Sequence, residues 1–197
     1  MTQSPHHERT TIRRALAALA GAVMLLLAFG APQVSAAPQG FTAQAVAAGL
    51  TTSEATALQA EVDRYLAKTG GTQIAPNVID LGRGNGVQVA VPGERQPRDL
   101  THGRGAFIPG CVGGADPDYF CAYENSSYTG SHVYLHGCPG GVAIPFGSGG
   151  SWDNYLNNSV KVRMYDNFST LIYTTPNSHS RDATADWTPI YRVQGCF

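Results

Sequence analysis

"CAYENSSYTG", residues 121–130, sets two tyrosines five apart, Tyr123 and Tyr128, with Gly130 two residues further on. A helix face repeats every three or four residues and a strand face every two, so this spacing belongs to neither. It suits a tightly folded hairpin between two strands. An aromatic ring covers such a turn, and glycine takes a positive φ that a Cβ would oppose.

The surrounding sequence reads as strand. "SHVYLHG", "GVAIPFG", "SVKVRMY", "TLIYTT" and "TPIYRV" are short extended runs separated by Gly, Pro, Asn, Asp and Ser. No useful helical period occurs between 106 and 197. Those residues are expected to form an all-β sandwich or barrel-like domain. They hold all four cysteines and both tryptophans.

The remainder differs in composition. Residues 1–36 read as a secretory signal peptide: Arg9, Arg13 and Arg14, an apolar middle, and small residues ending at Ala36. The apolar run is short for a membrane span, so the chain is expected to be secreted, with no membrane contact after signal removal. Residues 37–105 read as a pro-like α+β segment and linker. "LTTSEATALQAEVDRYLAKTGG" predicts one helix, with Thr51 and Glu54 at capping-box spacing and Gly70–Gly71 as its stop. "NVIDLGRGNGVQVAVPG" predicts a hairpin. A helix and a hairpin alone bury little, so this part either packs on the C-terminal domain or is loosely folded. It is either a removable pro-region or a permanent subdomain.

An exported chain with Cys111, Cys121, Cys138 and Cys196 is expected to form two disulfides. Three pairings are open; the preferred one is Cys111–Cys121 with Cys138–Cys196. The longer loop would stabilise by roughly 4 kcal/mol in one entropy model. Residues 106–197 carry four basic residues (Lys161, Arg163, Arg181, Arg192) against seven acidic ones. Nucleic-acid binding would need a basic patch, and this composition offers none.

Tyr123, Tyr128 and Gly130 resemble the signature of βγ-crystallin Greek keys, in which a serine of a later strand bonds back to the hairpin; Ser159 is the expected serine. A first cysteine, "FCAYE", a Tyr–Gly hairpin, a Gly-rich loop ending in Trp and a second Greek key together resemble the secreted actinobacterial metalloproteinase-inhibitor family. The pre-segment resembles the pro-segments of secreted actinobacterial proteins. The resemblance implies a βγ-crystallin-like Greek-key sandwich and inhibition of an extracellular, thermolysin-type peptidase by a monomer. The second key departs from the signature: Tyr165 is followed by Thr170 and Ile172 where an aromatic and a glycine belong.

Other chemistries are weaker. Microbial βγ-crystallins often bind calcium, and Asp153 and Asn154 begin such a loop. Asn157 and Asn158 then stand where hydroxyls belong, so an Asn/Asp turn is the expectation and no cofactor is assigned. His132, His136 and Cys138 alternate onto one face, but an oxidised Cys138 is no zinc ligand; both histidines are read as surface residues. "FGSGGSW" imitates a serine-protease segment, yet Gly147 precedes Ser148 and no triad partners are apparent, so no enzyme is expected. An inhibitor needs only a rigid loop bearing an apolar residue. Val112, beside Cys111, is the candidate contact; Val142 and Ile144 read better as a buried strand. A killer-toxin-like antimicrobial protein, or a wall- or carbohydrate-binding module using Trp152 and Trp187, are the alternatives.

Overall fold

The computed structural model describes residues 40–101, 110–137, 140–157 and 159–195. Cys138 and Cys196, the signal segment, and the stretch around Arg104 lie outside the described residues. The architecture is mostly β: two antiparallel sheets and two helices.

Helix α1 spans Phe41–Ala47 and helix α2 spans Thr52–Thr69. The capping box of α2 is complete. Thr51 Oγ1 accepts from the Glu54 amide at 3.2 Å, and the Thr51 amide donates to the Glu54 carboxylate at 2.8 Å. Two donors of the first turn, otherwise without helical partners, are thereby satisfied. Ala55, Leu58, Val62 and Tyr65 form its buried face, and Gly70, at φ 69°, ends it.

The strands are β1 (Thr72–Ala75), β2 (Val78–Gly82), β3 (Asn85–Gln88), β4 (Tyr119–Asn125), β5 (Thr129–His136), β6 (Val142–Ala143), β7 (Gly149–Asn154), β8 (Val162–Tyr165), β9 (Leu171–Thr174), β10 (Ser180–Asp186) and β11 (Arg192–Gly195). Seven make one sheet in the order β1-β2-β3-β5-β4-β7-β10; four make the other, β6-β11-β8-β9. The N-terminal helices and strands β1–β3 pack on the C-terminal β-rich residues. Strand β3 pairs with β5 through Gly86↔Tyr134, Val87↔Val133 and Gln88↔His132. On α2, Lys68 donates to the Pro145 carbonyl at 2.8 Å, and the Tyr65 ring meets Phe146 edge-on at 6.0 Å.

Strand alternation sorts side chains between two faces of the larger sheet. Val87, Val133, Ala122 and Trp152 form one cross-strand row and enter the main core, with α2 and the inner residues of the smaller sheet, Val162, Met164 and Val193. Gln88, His132, Tyr123 and Ser151 form the opposite row.

The β4–β5 connection is tightly folded. Ser127, Tyr128 and Gly130 have φ of 58°, 60° and 82°. A Cβ at Gly130 would lie 2.6 Å from Asn125 Nδ2 and 3.1 Å from Glu124 Cβ. The Tyr128 ring packs edge-on against Tyr123 at 5.7 Å. The serine that ties this hairpin is Ser151, not Ser159. Its hydroxyl accepts from the Tyr128 amide at 2.9 Å and donates to the Asn125 carbonyl at 2.7 Å. Ser159 is exposed, at φ 66°. Further ties come from the Gly130 amide to the Arg95 carbonyl (2.8 Å), Gln96 to the Tyr128 carbonyl (2.9 Å), and the Ser127 amide to the Ala183 carbonyl (2.9 Å). Ser151→Ala leaves the Tyr128 amide and the Asn125 carbonyl, in part-buried hydrogen bonds, without this partner. It is expected to cost about 1–3 kcal/mol in denaturant unfolding; an unchanged midpoint would show that the hydroxyl does not hold the hairpin.

The second hairpin, β8–β9, is closed by a carboxylate instead. Asp166 Oδ1 accepts from the Phe168 and Thr170 amides at 2.9 and 2.7 Å, and Ser169 takes the positive φ, 65°. With the turn built this way, Ile172 lies in β9, where no glycine is required, and Phe168 is left exposed.

Candidate functional site

The outer face of the larger sheet is covered by residues 110–118. Cys111 is joined to Cys121 of β4, with Cα atoms 5.9 Å apart. Both half-cystines are fully buried and cluster with Tyr123 and Tyr134; Ala115, Tyr119 and Tyr128 pack against them. The bridge therefore fastens a loop to the centre of a strand that is itself paired on both sides.

Hydrogen bonds fix the rest of the loop. The Asp116 amide donates to the Gly110 carbonyl (2.8 Å), and the Gly110 amide donates to Asp116 Oδ2 (3.0 Å). The Ala115 amide donates to Asp153 Oδ2 at 3.1 Å, and the Asp118 amide to the Tyr155 carbonyl at 2.9 Å. Gly113 and Gly114, at φ 79° and 155°, let the chain turn back over the sheet. At the crest, directly after a half-cystine with no exposed surface, Val112 is 59% exposed. A branched apolar side chain is thus presented to solvent on a backbone with little freedom.

Beside the loop, Asp153 is almost buried, and its Oδ1 lies 3.4 Å from His179 Nε2. The His179 ring stacks on Tyr155 at 4.1 Å. Asp153 and Asn154 do not converge on a common cation. They are successive strand residues and face opposite ways. Asp153 supports the bridge loop, while Asn154 donates to the Val160 carbonyl and accepts from the Leu156 amide in the interior. No cluster of three metal-ligating side chains occurs among the described residues.

Several other readings change. The Gly-rich loop expected to end in Trp152 is instead strand from Gly149, and Asp153 and Asn154, read as a turn, continue it as β7 between β4 and β10. Ser148 stands exposed just before it. Trp152 and Trp187 are 2% and 1% exposed, so neither is a surface platform; Trp187 Nε1 donates to the Tyr123 carbonyl at 2.7 Å. Val142 and Ile144 are buried. His136 is exposed, but His132 is wholly buried, with the rings of Tyr123 at 5.8 Å and Tyr134 at 6.4 Å against it. Asp116, Ser151, Tyr155 and His179 were not anticipated. The alternation in "SWDN" is the one local sign that Ser151 and Asp153 share a face.

Burial raises the phenols on this face: Tyr123 well above its ordinary range and Tyr134 to about 12. Burial also lowers His132, from 6.5 to about 3. Neither ring nitrogen of His132 has a protein partner. The unfolded chain takes up this proton as pH falls through 6.5, and the folded chain does not until about pH 3. Stability is therefore unaffected above pH 6.5 and lost below it, by about 1.4 kcal/mol per pH unit. The advantage of His132→Phe over wild type should widen as pH is lowered from 6.5 to 4.5 in urea titrations. A constant difference would mean that the imidazole is solvated.

No helix among the described residues is long and apolar enough to cross a membrane. No protein-family model matches the chain, and neither a curated protein nor a solved structure does so significantly.

Proposed function

We propose that this chain is a secreted proteinaceous inhibitor of extracellular thermolysin-type metallo-endopeptidases, built on a βγ-crystallin-like Greek-key scaffold. The observation that carries the reading is Val112: an exposed apolar residue adjoining a buried disulfide, in a loop pinned by Asp116 and Asp153. Such a loop enters a peptidase cleft with little entropy left to lose. The resemblance of residues 106–197 to the inhibitor family supports the same reading. Inhibition is competitive and reversible, because the loop offers no group for covalent trapping.

Replacing Cys111 and Cys121 together by alanine tests the dependence on rigidity. The intact protein should raise KM for a peptide substrate without changing kcat. The bridge-less protein should inhibit at least tenfold more weakly, since more rotamer and backbone freedom is lost on docking. Equal inhibition by both would separate activity from this loop.

A further inference from the structure

The two sheets end beside one another. Among the described residues, strand β9 closes one side of the smaller sheet and pairs only with β8, and β10 closes one side of the larger sheet and pairs only with β7. Between these edges is a cleft of about 200 Å³. Its floor is apolar, formed by Trp152, Met164, Trp187 and Ile190, each under 10% exposed. One wall is the β9 edge with Ile172 and Tyr173, 44% and 42% exposed. The other carries Asp182 and Asp186.

Three features of this cleft point to a ligand. First, β9 itself, Leu171–Thr174, is an uncharged edge strand. Exposed edges ordinarily carry lysine, proline or inward charge that discourages strand pairing. Second, every ionisable carboxyl or amino group lining the cleft is an acid. Asp182 and Asp186 take part in no ion pair among the described residues; Asp182 accepts from the Thr184 amide and hydroxyl, and Asp186 accepts from the Thr188 amide. Third, Tyr173 packs against Trp152 with ring centres 6.1 Å apart, and both it and Asp182 line the cleft; its phenol is raised by burial and then by the Asp182 charge.

We propose that this cleft binds an extended peptide segment in which an apolar residue is followed by a lysine or arginine. The segment adds to β9 as a strand. Main-chain hydrogen bonds to the β9 edge supply the alignment, the apolar side chain enters between Tyr173 and the Trp152–Trp187 floor, and the cationic side chain meets Asp182 and Asp186. This mode of recognition divides affinity between backbone and side chains, and charge complementarity favours a basic partner over an acidic one. The site is separate from the Val112 loop and does not rest on its reading.

Tryptophan emission from Trp152 and Trp187 tests the proposal in the intact chain. The probes are acetyl-Lys-Val-Thr-Ile-Lys-amide, the same peptide with both lysines replaced by glutamate, and chitohexaose. The lysine peptide should bind with micromolar to submillimolar affinity, at least tenfold tighter than the glutamate peptide, and weaken as salt is raised. Asp182→Asn with Asp186→Asn should erase that tenfold preference while leaving the melting temperature in place. Ile172→Lys should abolish binding without unfolding a residue that is already half exposed. Equal binding of the two peptides, no binding at 1 mM, or a response to chitohexaose alone would each overturn the proposal.

Discussion

Gly130→Val is expected to destabilise the fold by about 3 kcal/mol or more. Gly130 has φ 82°, a region closed to β-branched residues by contact between Cβ and backbone. The new Cβ would also lie 2.6 Å from Asn125 Nδ2. Strain of about 1–3 kcal/mol from the backbone adds to this displacement of neighbours. The effect spreads because the Gly130 amide holds the Arg95 carbonyl, so a shift here loosens the segment that lies across the hairpin. Thermal melts should fall by roughly 6–12 °C for a chain of this size. Gly130→Ala should fall less, and a change within a degree for the valine would contradict the described turn.

Val112→Asp is expected to leave the fold alone and remove function. With 59% of its surface exposed, Val112 contributes little to the core, and its replacement should alter stability by under about 0.5 kcal/mol. In the proposed role of apolar anchor in a peptidase cleft it would act as a hot spot. Loss of about 2 kcal/mol or more corresponds to a rise in inhibition constant of roughly 30-fold. A carboxylate is additionally opposed by an apolar specificity pocket. Ser148→Asp, at an exposed position before β7, should change inhibition little. Equal losses from the two substitutions would assign the effect to charge rather than to the loop.

Local signals in the sequence were legible where short-range chemistry decides the structure. Thr51, Glu54 and Gly70 mark α2 by cap and stop, and Gly82–Arg83–Gly84, all at positive φ, mark the β2–β3 turn. Gly130 was legible because only glycine relieves its backbone conformation. Strands β7 and β10 were not. "GGSWDN" is glycine-rich and polar, yet it is central because β4 and β10 flank it. "SRDATAD" lacks apolar alternation because β10 is an exposed edge.

The site shows the same division. The Cys111–Cys121 bridge was the preferred of three open pairings, and Val112 was the apolar residue beside it. The supports were not legible, because Asp153 reaches the loop across a separation of 38 residues, Tyr155 comes from the same distant strand end, and His179 acts on these two from further along the chain. His132 was misplaced for a related reason. Alternation in "SHVYLH" correctly puts His132, Tyr134 and His136 on one face, but burial of His132 and Tyr134 and exposure of His136 depend on residues distant in sequence that alternation does not record.

The central claim is inhibition through the Val112 loop, and stoichiometric titration tests it most directly. The folded, correctly bridged chain is added to a thermolysin-type peptidase held at a fixed concentration, and residual activity is followed. The account predicts that activity falls toward zero near equimolar inhibitor and that Val112→Asp displaces the curve to far higher concentration. Full peptidase activity at micromolar excess of the folded wild-type chain would contradict it.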